Sequence, residues 1–271
     1  MGKFSGVLLV SDFDGTLIDH QLSISDDNVA AVQSFIAQGG RFVGATGRTE
    51  LNVRPFARGL SLSSPWILYN GAAIYDWQRQ SFVYKALLDR ALTAAFVARV
   101  IARIPAINVQ VFPGGPFCQV NPRAVPDAQA VREKQAFVDK PVEEVGDDWL
   151  KVLFCDDDPQ HIDLVEALLH DDPLRHCVHP TRSAPRYFEL TASGVNKGSA
   201  LVRLKQLLDP PAQRVVAIGD YLNDIEMLIE ADLAAAPCSA LPQVQAHARI
   251  ITLAHTQSAI ADLVQQLAAY V

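Results

Sequence analysis

The chain has 271 residues, a length that fits either one large domain or a domain carrying a smaller inserted one. Hydrophobic residues make up 49% of the sequence, enough for a packed interior, and the formal net charge of -7 argues against a nucleic-acid-binding surface, which would be basic. We find no charge-free apolar stretch near the ~20 residues of a membrane span, and no signal-peptide pattern. Four cysteines without a C-x-x-C pair predict reduced, packing thiols in a cytoplasmic protein.

The first predicted strand ends in two carboxylates. An apolar run from Val7 to Val10 leads into Asp12 and Asp14, and Gly15 then favours a sharp turn. Because side chains alternate along a strand, both carboxylates leave on the same side if the extended backbone persists through Phe13. Crowded carboxylates favour a hard cation such as Mg²⁺. The alternative is a strand followed by an ordinary Asp-rich turn.

A βαβ unit is predicted around this strand. Ser25 can cap a helix that stops at Gly39, and Arg41 to Ala45 forms a second short strand. The crossover of such a unit is almost always right-handed. The following Thr46-Gly47-Arg48 therefore lies at the carboxyl end of a strand, where open parallel sheets bind their ligands.

The middle of the chain predicts an inserted α/β unit. A strand from Trp66 to Tyr69 ends at Asn70 and precedes a hairpin. The stretch between Leu87 and Pro185 then has its own succession of predicted helices and strands, which indicates a separate small α/β unit. Within that stretch, the acidic triplet that ends at Asp158 is interpreted as a helix cap before Pro159 and not as a metal site.

The first pattern resumes after the insertion. The sequence predicts a strand from Tyr187 to Leu190, a helix from Lys197 to Leu208, a strand from Val215 to Ile218 and a helix from Asn223 to Ile229. Alternation of strands and helices predicts an α/β fold with a doubly wound, mainly parallel sheet and an inserted α/β domain. We assign residues 1–86 and 186–271 to the core and residues 87–185 to the insertion.

Groups suited to phosphoryl chemistry follow the predicted core strands. A carboxylate nucleophile must approach a phosphorus atom surrounded by negative oxygens, so cationic screening by Mg²⁺ and a lysine such as Lys197 is required. Asp220 can supply a further metal ligand. Thr46 and the backbone N–H of Gly47 can hold phosphoryl oxygens where a strand turns into a helix.

These motifs, in this order, resemble those of the haloacid dehalogenase superfamily of phosphatases. The insertion between Thr46 and Lys197 resembles the α/β cap of its Cof-type (type IIB) subfamily, which implies a Rossmann-like core and a cap that sets substrate specificity. Further matching segments are Tyr69-Asn70-Gly71-Ala72, Phe188-Glu189-Leu190, Gly194-Val195-Asn196-Lys197-Gly198 and the run from Gly219 through Asn223 and Asp224 to Leu228. One departure is Ala236-Pro237-Cys238-Ser239-Ala240, where the family usually has Met-Gly-Asn-Ala.

The resemblance implies roles for the carboxylates. Asp12 would be the nucleophile that becomes an aspartyl phosphate, and Asp14 the acid that protonates the leaving alcohol and then the base that activates water. Mg²⁺ would bind the Asp12 carboxylate, the Asp14 backbone carbonyl and Asp220. Asp224 would belong to the metal site through a metal-bound water, or would orient Lys197.

The resemblance also implies the groups that bind substrate. Thr46 and Lys197 would hold the phosphoryl group together with Gly47, and Asn223 would contact it. Arg48 either reaches the substrate or pairs with a carboxylate, and Asn70 is a candidate for the pocket.

The sequence therefore predicts a cytoplasmic, Mg²⁺-dependent phosphatase of small phosphate monoesters, sugar phosphates foremost. Its partner would be a small phosphorylated metabolite, with no nucleic acid or membrane, and the protein would be a monomer or weak homodimer. One alternative is a phosphotransferase similar to phosphomannomutase, which shares this core but shields its intermediate from water. A second alternative is a non-catalytic sensor that binds a sugar phosphate.

Overall fold

The computed structural model describes residues 2–121, 123–267 and 269–270. Its strands are, in chain order, β1 (Val7–Asp12), β2 (Arg41–Ala45), β3 (Trp66–Leu68), β4 (Ala73–Asp76), β5 (Ser81–Lys85), β6 (Asn108–Phe112), β7 (Phe117–Gln119), β8 (Phe137–Asp139), β9 (Lys151–Cys155), β10 (Val178–Ala184), β11 (Tyr187–Ala192), β12 (Arg214–Ile218), β13 (Leu233–Pro237) and β14 (Ile250–Thr252). Its helices are α1 (Asp26–Ala37), α2 (Glu50–Val53), α3 (Arg90–Arg103), α4 (Ala128–Arg132), α5 (Pro159–His170), α6 (Lys197–Leu207), α7 (Ile225–Ile229), α8 (Pro242–Gln245) and α9 (Ala259–Leu267).

The strands of the described residues form two sheets. The first has the order β14-β13-β12-β1-β2-β3-β4-β5, and β1 pairs in parallel with both β12 and β2. The second has the order β10-β11-β9-β6-β7-β8 and is mainly antiparallel. The predicted fold class, a mainly parallel α/β sheet with a further α/β unit, is confirmed.

The first βαβ unit forms as its sequence indicates. Every residue of β1 is buried, as expected for a central parallel strand covered on both faces. The Ser25 hydroxyl accepts a hydrogen bond from the Asn28 N–H, and Asp26 and Asp27 place negative charge at the positive end of the α1 dipole. These local signals fix where α1 begins and so where β2 returns to the sheet.

The chain divides into two compact units. The first comprises Met1–Arg48, Val53–Tyr84 and Asn196–Val271, and the second comprises Thr49–Asn52 and Lys85–Val195. The assignment of Tyr187 to Leu190 to the first sheet is wrong. That segment lies in β11, which pairs antiparallel with β9 and β10 in the second sheet, and its strand pattern carried no information about which sheet it joins.

The second unit has its own hydrophobic core. Helices α3 and α5 pack apolar side chains such as Phe96 and Ile162 against Phe154 and Phe188 of its sheet. Asp158 caps α5 by accepting a hydrogen bond from Gln160 N–H, with proline at the start of the helix. The interpretation of Asp158 as a helix cap is confirmed.

The cysteines are all unpaired, but they do not all pack in the interior. Cys118 and Cys155 are buried, as predicted, whereas Cys177 and Cys238 are exposed. The prediction of packing thiols is therefore wrong for the second pair. Within the described part of the chain, none of the helices combines the length and apolar character needed to cross a membrane.

Candidate active site

A buried lysine joins two carboxylates at the carboxyl end of β1. Lys197 Nζ lies 2.6 Å from Asp12 Oδ1 and 2.6 Å from Asp224 Oδ1. The three residues are only 5% (Asp12), 0% (Asp224) and 1% (Lys197) exposed. Water therefore screens these charges weakly, and their mutual attraction is much stronger than at a surface.

Lys197 is placed by the start of α6. Asn196 caps the helix: its side chain accepts from Ser199 N–H, and its own N–H donates to the Ser199 hydroxyl. Gly71, at a φ of +100°, passes so close that any Cβ on it would overlap the Asn196 carbonyl oxygen. A glycine is thus required beside the residue that precedes Lys197.

Asp220 and Asp224 follow β12 and complete an acidic cluster. Asp224 Oδ2 accepts the backbone N–H groups of Asp220 (3.0 Å) and Tyr221 (3.1 Å), which fixes its carboxylate. The Thr16 hydroxyl donates to Asp220 Oδ1 at 2.8 Å. One carboxylate oxygen from each of Asp12, Asp220 and Asp224 lies within 4.8 Å of the others.

Burial and like charge disfavour ionisation in this acidic cluster. Desolvation, followed by the charge of Asp224, raises the pKa of Asp12 well above its usual value. The same two causes raise the pKa of Asp220 to about 6. Burial acts to lower the pKa of Lys197, but the carboxylates of Asp12 and Asp224 outweigh it and raise that pKa.

The residues of the acidic cluster fit a divalent cation. When ionised, the three carboxylates outnumber the one ammonium of Lys197, and a divalent cation would balance the excess negative charge. Asp12 Oδ2 is also buried without a hydrogen-bond partner among the described residues, and an unsatisfied buried oxygen is costly. Carboxylate oxygens are the donors that Mg²⁺ prefers.

Asp14 lies in different surroundings from Asp12. Its side chain is 47% exposed. Arg48 forms an ion pair with both of its carboxylate oxygens: Nε lies 2.8 Å from Oδ2, and Nη2 lies 2.7 Å from Oδ1. The central carbon of the Arg48 guanidinium lies 5.7 Å from the ring centroid of Phe13 and 5.0 Å from the ring centroid of Phe56. Arg48 thus pairs with a carboxylate, one of its two predicted roles, and the Asp14 side chain is not among the three carboxylates of the cluster.

The remaining predicted residues gather where β2 and β3 end. Thr46 is 1% exposed, and its hydroxyl accepts the Arg48 N–H at 3.1 Å. Asn223 Nδ2 donates to Asn70 Oδ1 at 3.1 Å, and a Cβ on Gly47 would lie 3.0 Å from the Asn70 amide. The structure therefore brings Gly47, Asn70 and Asn223 together.

Two contacts were missed by the sequence analysis. Thr16 holds Asp220, and its position two residues after Asp14 in the DxDGT motif was an available signal. Phe56 lies against Arg48, and nothing in the sequence around it indicated that contact.

Comparison with known sequences identifies the family. The sequence profile described as haloacid dehalogenase-like hydrolase matches residues 9–264. The chain belongs to this family. It is 28% identical over 260 residues to the 5-amino-6-(5-phospho-D-ribitylamino)uracil phosphatase YcsE of Bacillus subtilis, covering 95% of this chain and 94% of that protein. It is 24% identical over 267 residues to the pyridoxal phosphate phosphatase YbhA of Escherichia coli, covering 95% of this chain and 97% of that protein.

Solved structures agree with this assignment. A haloacid dehalogenase-like hydrolase from Bacteroides thetaiotaomicron has a TM-score of 0.86 at 25% identity, covering 97% of this chain and 99% of its own. TM0651 from Thermotoga maritima has the same fold, with a TM-score of 0.81 at 22% identity and 96% coverage of both chains. The family predicted from the motifs is confirmed, and this haloacid dehalogenase-like hydrolase is a phosphoric monoester hydrolase.

Proposed function

We propose that this hydrolase is Mg²⁺-dependent and cleaves sugar phosphates through an aspartyl phosphate on Asp12. The observation that carries the proposal is the buried cluster in which Lys197 bridges Asp12 and Asp224 while Asp12 Oδ2 has no hydrogen-bond partner among the described residues. An unpartnered oxygen is available to attack phosphorus. Covalent catalysis splits one difficult displacement into two easier steps.

In the first step, an oxygen of the Asp12 carboxylate attacks the phosphorus atom. The bond between phosphorus and the ester oxygen breaks, and Asp14 gives its proton to the leaving alkoxide. Arg48 contacts both oxygens of the Asp14 carboxylate and so keeps that side chain in one orientation. Arg48 therefore acts as a positioning residue for the general acid.

In the second step, Asp14 takes a proton from a water molecule. The resulting oxygen attacks phosphorus, the bond from phosphorus to Asp12 breaks, and inorganic phosphate leaves with the Asp12 carboxylate restored. Asp12, the backbone carbonyl of Asp14 and Asp220 would hold Mg²⁺, with Asp224 beside them. A bound divalent cation supplies positive charge that screens the phosphoryl oxygens from the carboxylates.

The transferred phosphoryl group would be held by neutral donors and one cation. Thr46, the N–H of Gly47, Asn223 and Lys197 are assigned to its oxygens, and Asn70 orients Asn223 through their hydrogen bond. Fixed donors aimed at developing negative charge are a large source of transition-state stabilisation.

The substrate class rests on one relative and on the inserted unit. YcsE acts on a compound whose name contains a phosphorylated ribityl group, which is a sugar-alcohol phosphate. We propose that this chain takes a phosphorylated sugar or sugar alcohol, and that the second unit selects among them. Four unpaired cysteines support a reducing compartment such as the cytoplasm.

A phosphate-release screen tests the proposal. The purified protein is incubated with phosphorylated metabolites, with Mg²⁺, with a chelator, and with Mg²⁺ restored in excess over the chelator. We expect release only with Mg²⁺ and fastest release from sugar phosphates, whereas Ca²⁺, with looser coordination, should support little turnover. Full activity in excess chelator would contradict the metal requirement. Interconversion of hexose 1- and 6-phosphates without net phosphate release would instead favour a phosphotransferase.

A further inference from the structure

The ring of Phe56 lies against the guanidinium that holds Asp14. The central carbon of that guanidinium, on Arg48, lies 5.0 Å from the ring centroid of Phe56 and 5.7 Å from that of Phe13. All four residues belong to the first unit. The attraction between a cation and an aromatic face extends to about 6 Å from the ring centroid, so both rings are within reach of Arg48.

A short turn after α2 carries Phe56. The N–H groups of Phe56 and Ala57 both donate to the carbonyl oxygen of Val53 at 3.0 Å, which closes the turn. Val53 and Ala57 are buried and anchor the turn in the interior, whereas the side chain of Phe56 is only partly buried. A fixed backbone therefore presents the Phe56 ring to its neighbours.

The backbone of Arg48 is also fixed, but its long side chain needs separate support. The Arg48 N–H donates to the Thr46 hydroxyl at 3.1 Å, and the Arg48 carbonyl oxygen accepts the Tyr69 N–H at 3.1 Å. An arginine side chain has many rotamers, so these backbone bonds do not fix the guanidinium. The N–H groups of a guanidinium lie in its plane, so binding Asp14 leaves its flat faces available to aromatic rings.

We propose that Phe56 is a positioning residue for the general acid Asp14 and acts through Arg48; this inference rests on the proposed function. The side chain of Asp14 is half exposed, so packing alone does not orient it. Asp14 must deliver its proton to one atom, the oxygen of the leaving group, and the rate of such a transfer depends on orientation. The Phe56 ring holds Arg48, and Arg48 holds both carboxylate oxygens of Asp14.

The attraction of the ring does not depend on the protonation of Asp14. The O–H bond of Asp14 breaks in the first step and forms again in the second, so the negative charge facing Arg48 appears and then disappears. The guanidinium stays charged throughout, and its attraction to an aromatic face is therefore constant. Phe56 thus keeps Arg48 in place when Asp14 is neutral and the ion pair is absent.

The decisive variant is Phe56→Leu, which removes the ring and keeps most of the apolar volume. A hexose 6-phosphate has a poor leaving group that must be protonated, and we expect its kcat/KM to fall about three- to thirtyfold, the factor that corresponds to a cation–π contact. p-Nitrophenyl phosphate has a leaving group that departs without a proton, so its kcat/KM should stay within about twofold. A loss of packing alone would lower both values equally.

Rescue and control variants separate the ring from its bulk. Phe56→Tyr keeps an aromatic face and should keep both kcat/KM values within about twofold of native. Phe4→Leu is the matched control, because Phe4 also lies against a cation, with Lys3 Nζ at 5.8 Å from its ring centroid, but precedes the amino end of β1. If Phe56→Leu fails to fold by circular dichroism, Phe56→Met, which also lacks a ring, replaces it with the same expected values.

Arg48→Met tests whether Phe56 acts through Arg48. When Arg48 is already methionine, Phe56→Leu should change kcat/KM for the hexose phosphate by less than about twofold, because no guanidinium remains for the ring to hold. Three results would overturn the inference: an equal loss on both substrates in Phe56→Leu, no loss on either, or the same loss with and without Arg48.

Failure of the proposed function is separately visible. If the native protein releases phosphate from no ester, the proposed function fails, and NMR of protein labelled with ¹⁵N-arginine then tests the contact itself. The Arg48 Nε–H signal, assigned by its absence in Arg48→Met, should exchange with water at least about threefold faster in Phe56→Leu and at the native rate in Phe4→Leu. Equal exchange rates in the native protein and Phe56→Leu overturn the inference, as does a native signal lost through fast exchange.

Discussion

Replacing Lys197 by methionine removes the ammonium from the buried cluster. Asp12 and Asp224 would each lose a 2.6 Å ion pair while remaining 5% and 0% exposed. Breaking a buried pair by removing one partner costs about 3–5 kcal/mol, because a charge stays buried without compensation. At roughly 2–4 °C per kcal/mol, we expect the melting temperature to fall by about 6–20 °C.

The loss of stability in Lys197→Met should depend on pH. The pKa of Asp12 is already raised by burial and by Asp224, and Lys197 is the cation that lowers it. A carboxyl whose pKa is raised on folding favours the folded state below its unfolded pKa, and that contribution disappears as pH rises through the folded pKa. The free energy of unfolding of Lys197→Met should therefore lie furthest below that of the native protein at alkaline pH, and approach it as pH falls through the raised pKa of Asp12.

Urea unfolding in excess chelator across this pH range measures the effect, and phosphate release with Mg²⁺ measures activity. We expect kcat to fall by about 10²–10³-fold, the usual cost of losing one stabilising group for transition-state charge. Lys205→Met, in the last turn of the same helix, is the control and should change neither quantity appreciably. A Lys197→Met protein with native stability at alkaline pH, or with activity within tenfold of native, would refute the reasoning.

Three further predictions concern other parts of the chain. Asp12→Asn should form no phosphoenzyme with any ester, whereas Asp14→Asn should accept a phosphoryl group from an activated ester and then hydrolyse the phosphoenzyme slowly. Intact-mass analysis after rapid quenching distinguishes the two variants. Normal turnover of Asp14→Asn would contradict the roles assigned. Gly71→Ala should lower stability by at least about 1–3 kcal/mol in urea titrations, because it combines a φ of +100° with backbone overlap, while Gly146→Ala, with open space around it, should not. Burial raises the pKa of the Cys155 thiol to about 12, so iodoacetamide near pH 8 should modify exposed Cys177 first in mass spectra, and equal labelling rates would argue against the burial of Cys155.

Local signals were sufficient for many elements of the fold. The apolar run ending at Asp12 predicted the buried central strand, Ser25 predicted the start of α1, and Arg41–Ala45 was predicted with the bounds that the structure gives. These features depend on hydrogen bonds and periodicity within a few residues, which the sequence displays directly. The order of the motifs, through the family resemblance, likewise predicted that Asp12 and Lys197 belong to one site, and their side chains form an ion pair although the strand before Lys197 lies in the second sheet.

Tertiary structure decided the features that depend on residues far apart in the chain. The strand predicted from Tyr187 to Leu190 forms, extended to Ala192, but its pairing with β9 places it in the second sheet. The sequence predicts either of two roles for Arg48, because a long side chain has many reachable partners, and the structure shows the ion pair with Asp14. The burial that raises the pKa of Asp12 comes from atoms brought together only by folding, so the packed structure determines how strongly the groups of the site interact.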